Sequence, residues 1–134
     1  MKLIIYTDGA SRGNPGNAAY GFFIANEKGR VLFEKGEYIG TSTNNFAEYT
    51  AVLRSLEYVK DYFKNNLEID FYMDSKLVAE QLSGRYKIKS LNLKPLIYKI
   101  KKLESEFKKI TYSHIRRELN KKADKLANLA LDCR

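Results

Sequence analysis

Lys2-Leu3-Ile4-Ile5-Tyr6-Thr7 runs directly into Asp8-Gly9-Ala10-Ser11-Arg12-Gly13-Asn14-Pro15-Gly16-Asn17. The first six residues form an apolar run of strand length, the pattern of a central strand buried on both faces. The next ten are rich in Gly, Ser, Asn and Pro and predict a loop. An acidic residue, Asp8, stands at the junction. Outward from it, Ala18 to Ala25 reads as a second strand and Val31 to Ile39 as a third. Asn26-Glu27-Lys28-Gly29 supplies the turn between them. The chain therefore opens as an antiparallel meander.

Thr43-Asn44-Asn45 offers N-cap residues, and Phe46, Tyr49, Ala51, Val52, Leu53, Leu56 and Val59 follow at helical spacing to about Lys60. Leu67 to Met73 reads as a fourth strand. Asp74-Ser75 opens a short helix over Lys76–Leu82, which Ser83-Gly84 ends. Leu93, Leu96, Ile97, Ile100, Leu103 and Phe107 predict a second long helix, with Pro95 near its first turn. Ile110, Tyr112 and His114 alternate as a fifth strand, and Asn120 starts a last helix carrying Ala123, Leu126, Ala127, Leu129 and Ala130. The order β-β-β-α-β-α-α-β-α predicts an α/β fold: a five-stranded mixed sheet flanked by helices, with the first strand central.

The bulk numbers fit one domain over residues 1–134. A 44% hydrophobic fraction supports a real core, and no apolar run is long enough to span a bilayer. One cysteine, Cys133, excludes an internal disulfide and suits a cytoplasmic setting. Met1 at the start and a helical pattern running to the end lead us to expect a free, complete chain, and no obligate protein partner is implied by the sequence. The net charge of +8 is unevenly spread: residues 85–125 hold fourteen Lys/Arg against four Asp/Glu. A basic half beside a near-neutral one points to a polyanionic partner.

Four carboxylates stand at element boundaries. Asp8 and Asp74 follow strands one and four. If these strands are neighbours, both side chains emerge at one sheet edge, where open α/β sheets place their sites. Glu48 and Asp124 fall in the first turns of the first and last helices. Each has an alternative reading as a cap or macrodipole partner. Brought together, four like charges would repel and raise one another's pKa. A hard cation relieves this, and carboxylate oxygens suit Mg²⁺ or Mn²⁺. With no Cys/His cluster, zinc is not expected.

Thr7-Asp8-Gly9-Ala10-Ser11-Arg12-Gly13-Asn14-Pro15-Gly16, followed by Ala18-Ala19-Tyr20-Gly21, resembles the opening signature of type 1 ribonuclease H. Thr43-Asn44-Asn45-Phe46-Ala47-Glu48 resembles the second motif of that family, Met73-Asp74-Ser75 the third, and Asn120-Lys121-Lys122-Ala123-Asp124-Lys125-Leu126-Ala127 the fourth. The four occur in order across essentially the whole chain. The resemblance implies Asp8, Glu48, Asp74 and Asp124 as ligands of two Mg²⁺ ions, with Mn²⁺ a possible substitute. It also implies cleavage of the RNA strand of an RNA–DNA hybrid, leaving 3′-hydroxyl and 5′-phosphate ends. Gly13 and Asn14 lie in a turn that lets a sugar–phosphate strand approach. Asn14 and Asn45 carry amides suited to a 2′-hydroxyl, and backbone N–H groups at Asn44-Asn45 suit a phosphate.

The chain also departs from the family. Many bacterial members carry a basic helix and a Trp-rich loop after the third motif. Ser83 to Leu91 is too short for both, and the chain has no tryptophan. Arg85, Lys87 and Lys89 are expected to supply phosphate contacts instead. Lys76 stands where some members have a polar amide. In the stretch His114-Ile115-Arg116-Arg117-Glu118-Leu119-Asn120, Arg117 is expected beside the site as a phosphate or release residue; His114 reads as a strand-end histidine, with an auxiliary part in product release, as in longer family members, left open. Two other readings stay open: a hybrid- or duplex-binding module that does not cut, and a nuclease acting on double-stranded RNA.

Overall fold

The computed structural model describes residues 1–63, 66–87 and 90–134. Five strands form one sheet: β1 (Lys2–Gly13), β2 (Gly16–Asn26), β3 (Val31–Ser42), β4 (Glu68–Met73) and β5 (Lys109–His114). The spatial order is β3-β2-β1-β4-β5, so β1 is central as expected. β1 and β2 pair antiparallel, as do β2 and β3, whereas β4 and β5 run parallel to β1.

Among the described residues four α-helices flank the sheet: α1 (Asn44–Tyr62), α2 (Lys76–Leu82), α3 (Lys94–Glu104) and α4 (Lys121–Asp132). On β1, Leu3 and Ile5 are completely buried and join a cluster with Ile24, Ile69 and Phe71 from neighbouring strands. Val52, Leu56 and Val59 of α1, Val78 and Leu82 of α2, and Ile97 and Ile100 of α3 complete that core. Each such side chain, fully buried, contributes about 1.5–3 kcal/mol. The alternate residues Ile4 and Tyr6 are only half-buried. The expectation of equal burial on both faces is therefore corrected, because α4 alone covers the second face. It seats on Gly21, where an added Cβ would lie 2.6 Å from the Ala127 nitrogen.

Local chemistry fixes the helix starts. Thr43 caps α1 by accepting a hydrogen bond from Phe46 N–H (3.1 Å), and Ser75 caps α2 by accepting from Val78 N–H (3.3 Å). Asp74 is thus free of the capping role. α1 is buried on nearly every side because it lies between the sheet and α3, so Ala47 to Leu53 are all buried.

Three boundaries differ from the sequence expectation. The predicted loop over Asp8 to Asn17 is mostly strand: β1 and β2 stay paired to Gly13 and Gly16, and only Asn14 and Pro15 turn the corner. Small residues keep this hairpin tip narrow. The second long helix ends at Glu104 rather than reaching Phe107, which is buried in the turn beyond. A 3-10 turn, Arg117–Leu119, precedes α4 and has no apolar periodicity to announce it.

Candidate active site and metal centre

Parallel pairing of β1 with β4 ends at Thr7 and Met73. The next residue on each strand is Asp8 or Asp74, so topology sets the two carboxylates side by side. Asp8 is within β1, which continues along β2, so it stands where β1 parts from β4 rather than at the strand's end. α1 brings the third carboxylate. The helix begins at Asn44, which puts Glu48 beyond the first turn; the macrodipole reading of Glu48 is corrected accordingly. Asp8, Glu48 and Asp74 each present an oxygen within 4.8 Å of the other two. Asp124, in the first turn of α4, lines the same pocket. Its carboxylate accepts a hydrogen bond from Asn128 Nδ2 (3.1 Å).

Asp8 and Glu48 are only 4% and 6% exposed, and no cationic side chain forms an ion pair with either among the described residues. Asp8 accepts a hydrogen bond from Gly9 N–H (3.0 Å). Glu48 Oε2 is buried with no hydrogen-bond partner. Burial, then the charge of Asp74, pushes the Asp8 carboxyl up to about 8. Burial, then the charge of Asp8, raises Glu48 well above the usual carboxylate range. Asp74 is raised mainly by burial, with Asn120 and the Arg117 guanidinium acting the other way. Buried carboxylates that repel, with one oxygen orphaned, fit a hard divalent cation: it would relieve the repulsion and occupy the orphaned atom. No His or Cys belongs to the group, as oxygen-preferring ions require.

The nucleic-acid side of the site adjoins this pocket. Asn44 and Asn45 line both the carboxylate pocket and a second groove formed with Asn14, Pro15, Thr43, Ser90 and Asn92. Asn14 Oδ1 accepts a hydrogen bond from Asn44 N–H (3.1 Å), tying the hairpin tip to the start of α1. That N–H, expected to be available to a phosphate, is already engaged. Gly13 adopts a positive φ of 105° at the hairpin tip.

Arg117 lines the carboxylate pocket, whereas His114 ends β5, exposed and outside the lining. Lys76 is exposed at the first position of α2. Arg85 pairs with Glu80 (3.3 Å), and with Lys87 it lines a further groove beside Asn45. Lys89 lies outside the described residues. Two residues had no site role in the sequence reading: Asn128 and Asn120. Asn128 is one helical turn beyond Asp124, a spacing that places both on one face. Asn120 appeared only as a helix start. It is 1% exposed, and its Nδ2 donates to the Thr7 carbonyl (2.9 Å).

A family described as "Reverse transcriptase-like" matches residues 6–130. A ribonuclease H of Ruthia magnifica is 33% identical, over 98% of this chain and 96% of its own. The chain belongs to the type 1 ribonuclease H family. The crystal structure of LC11-RNase H1 in complex with RNA/DNA hybrid superposes on it with a TM-score of 0.93, at 42% identity, covering 98% of this chain and 97% of that one. A bifunctional protein of Mycobacterium tuberculosis is 43% identical over 98% of this chain, which spans only 36% of that relative's length. As a ribonuclease H the chain is of the short form: residues 83–93 alone separate α2 from α3, leaving no room for a helical basic protrusion. No described helix is long and apolar enough to cross a membrane.

Proposed function

We propose that this chain is an endonuclease that hydrolyses the RNA strand of RNA–DNA hybrids, leaving 3′-hydroxyl and 5′-phosphate ends. The observation that carries the reading is the convergence of Asp8, Glu48 and Asp74, with oxygens within 4.8 Å of one another, beside a groove lined by Asn44 and Asn45. The likeness to a ribonuclease H solved with an RNA/DNA hybrid supports the same substrate. Asp8, Glu48, Asp74 and Asp124 would hold two Mg²⁺ ions, or Mn²⁺ in their place. Divalent ions supply Lewis acidity to the phosphodiester and lower the pKa of water to a reactive range.

The remaining steps belong to the chain's own side chains. Asn45 can donate to and accept from a 2′-hydroxyl or minor-groove edge, the feature that separates RNA from DNA. Asn14 spends its oxygen on Asn44 and keeps its amide N–H groups for the strand passing the hairpin tip. Arg117, on the pocket wall beside Asp74, offers a guanidinium to a phosphate. The Lys/Arg excess of residues 85–125 gives the duplex a basic approach. We read residues 1–134 as one ribonuclease H domain, and the exposed Cys133 is in keeping with a reducing, cytoplasmic setting.

The test compares labelled RNA–DNA hybrid, double-stranded RNA, single-stranded RNA and duplex DNA side by side, with Mg²⁺ or with EDTA. Mg²⁺-dependent cutting of the hybrid RNA strand is expected, lost in Asp8→Asn and Asp74→Asn while circular dichroism shows a retained fold. Binding without cutting would instead identify a hybrid-binding module. Preferential cutting of double-stranded RNA would identify a different nuclease.

A further inference from the structure

Asn120 is a buried residue that holds the backbone beside two of the four carboxylates, Asp8 and Asp124. Its Nδ2 donates to the carbonyl of Thr7, the residue before Asp8 (2.9 Å), across 113 positions of sequence. Thr7 is also the last β1 residue paired with β4. Beyond it the two strands have no ladder to hold them at a set distance, and the Asn120 amide sits at that gap. The Asn120 backbone carbonyl accepts from Asp124 N–H (3.1 Å), setting the first turn of α4.

The rest of its environment argues against an ordinary helix cap. Asn120 makes no side-chain capping bond to α4 although it occupies the N-cap position. Its Oδ1 is buried with no hydrogen-bond partner. An asparagine retained purely to start a helix would turn its oxygen to the free N–H groups of the first turn. This one is turned into the sheet, leaving a buried acceptor unsatisfied, an arrangement that ordinarily destabilises a fold.

We propose that Asn120 is a positioning residue for the metal centre. It anchors the β1 backbone beside Asp8 at the point where β1 and β4 part, and fixes Asp124 against it, before any ion binds. The proposal rests on the reading of the four carboxylates as metal ligands. Its chemical requirement is a donor that reaches the Thr7 carbonyl, which as a pure acceptor needs an N–H or O–H partner; Asn120 supplies it at Nδ2. Residues that orient metal ligands in this way typically change metal affinity or activity by about 10- to 100-fold when removed.

The experiment uses the full chain and Mn²⁺ as the probe. Mn²⁺ binding is measured by titration calorimetry on folded wild type, Asn120→Ala and Asn120→Asp. Hybrid cleavage is measured in parallel as kcat and KM, and thermal unfolding in EDTA gives the metal-free stability. Asn120→Asp retains the shape and removes the donor. Both variants are expected to bind Mn²⁺ at least about tenfold more weakly and to lose kcat by a similar factor, with the KM for hybrid little changed. Variants that are less stable in EDTA yet bind Mn²⁺ like wild type would overturn the proposal, leaving Asn120 a structural tie. Wild type that neither binds Mn²⁺ nor cuts hybrid would instead overturn the underlying functional reading. A variant too unstable to titrate is replaced by Asn120→Ser, which keeps a shorter donor and is expected to fall between wild type and Asn120→Ala in Mn²⁺ affinity; an affinity equal to wild type would overturn the proposal.

Discussion

Gly9 lies directly against the backbone of Glu48. A Cβ added to Gly9 would fall 2.7 Å from the Ala47 carbonyl carbon and closer still to the Glu48 nitrogen. The missing side chain therefore lets α1 press onto β1 and brings the Glu48 carboxylate to Asp8. Gly9→Ala must push the helix away, since backbone rather than a flexible side chain blocks the new methyl. Overpacking of this kind destabilises by about 1–3 kcal/mol. Urea unfolding in EDTA should show that loss. A Mg²⁺ titration of hybrid cleavage should show a higher metal requirement, because Glu48 is displaced from Asp8. A variant with normal stability and normal Mg²⁺ dependence would contradict the role given to this contact.

The fold was legible wherever burial imposes a period. Lys2 to Thr7, the Phe46–Val59 spacing and the Ile110–Tyr112 alternation each identified an element that the structure contains. The sequence pattern set four carboxylates at element boundaries; Asp8 and Asp74 did emerge as strand neighbours, although Asp8 lies within β1 and Glu48 beyond the first turn of α1. What the sequence hid depends on tertiary pairing. Asp8 to Gly13 looks like a loop because its composition is that of one, yet β2 extends the pairing through it. Glu48 looked like a first-turn acid because the helix start is set by Thr43, whose cap bond no composition rule distinguishes from one at Asn44 or Asn45. Asn120 was hidden more deeply. Its partner, Thr7, lies at the other end of the chain, and only the packing of α4 on the sheet brings them together.

The metal-free carboxylate cluster should weaken the fold as pH rises. Asp8 titrates at about 8 in the folded chain, raised chiefly by burial, and Glu48 is also raised well above its ordinary value. In the unfolded chain both lose their protons near pH ~4. Between about pH 4 and about pH 8 the folded state therefore binds more protons, so stability from these groups is full below that window and lost through it. In EDTA, wild type should lose more stability across the window than Asp8→Asn, by a few kcal/mol on the order of the shift itself. Mg²⁺ should remove most of the difference for wild type only. Parallel pH profiles for the two proteins in EDTA would refute the account.

Arg117 and His114 make separable claims. Arg117 lines the carboxylate pocket and favours the charged form of Asp74, whereas His114 is exposed at the end of β5. A charge-assisted contact to phosphate contributes about 1.5–3 kcal/mol, so Arg117→Ala should lower kcat/KM about 10- to 100-fold. It should also reduce the slope of log binding against log salt by roughly one phosphate contact. His114→Ala should stay near wild type in both. The reverse ordering of the two variants would reassign the role to the histidine.

Asn128 orients the fourth carboxylate. Its Nδ2 donates both to the Asp124 carbonyl (3.0 Å) and to its carboxylate (3.1 Å), from one turn further along α4. Asp124 is not one of the three residues whose oxygens all lie within 4.8 Å of one another, but it adjoins Asp8, and Asn128 restrains its carboxylate on the pocket wall. Asn128→Ala frees the carboxylate to rotate, so the entropy of ordering it falls on metal binding. Asn128→Asp is the sharper probe, because it replaces the donor with a like charge at i, i+4. The Mg²⁺ concentration giving half-maximal cleavage should rise up to about tenfold in Asn128→Ala and further in Asn128→Asp. Stability in EDTA should change little in Asn128→Ala, since the side chain is only half-buried. If Asn128→Asp kept the wild-type metal requirement, Asp124 would not be held as the geometry indicates.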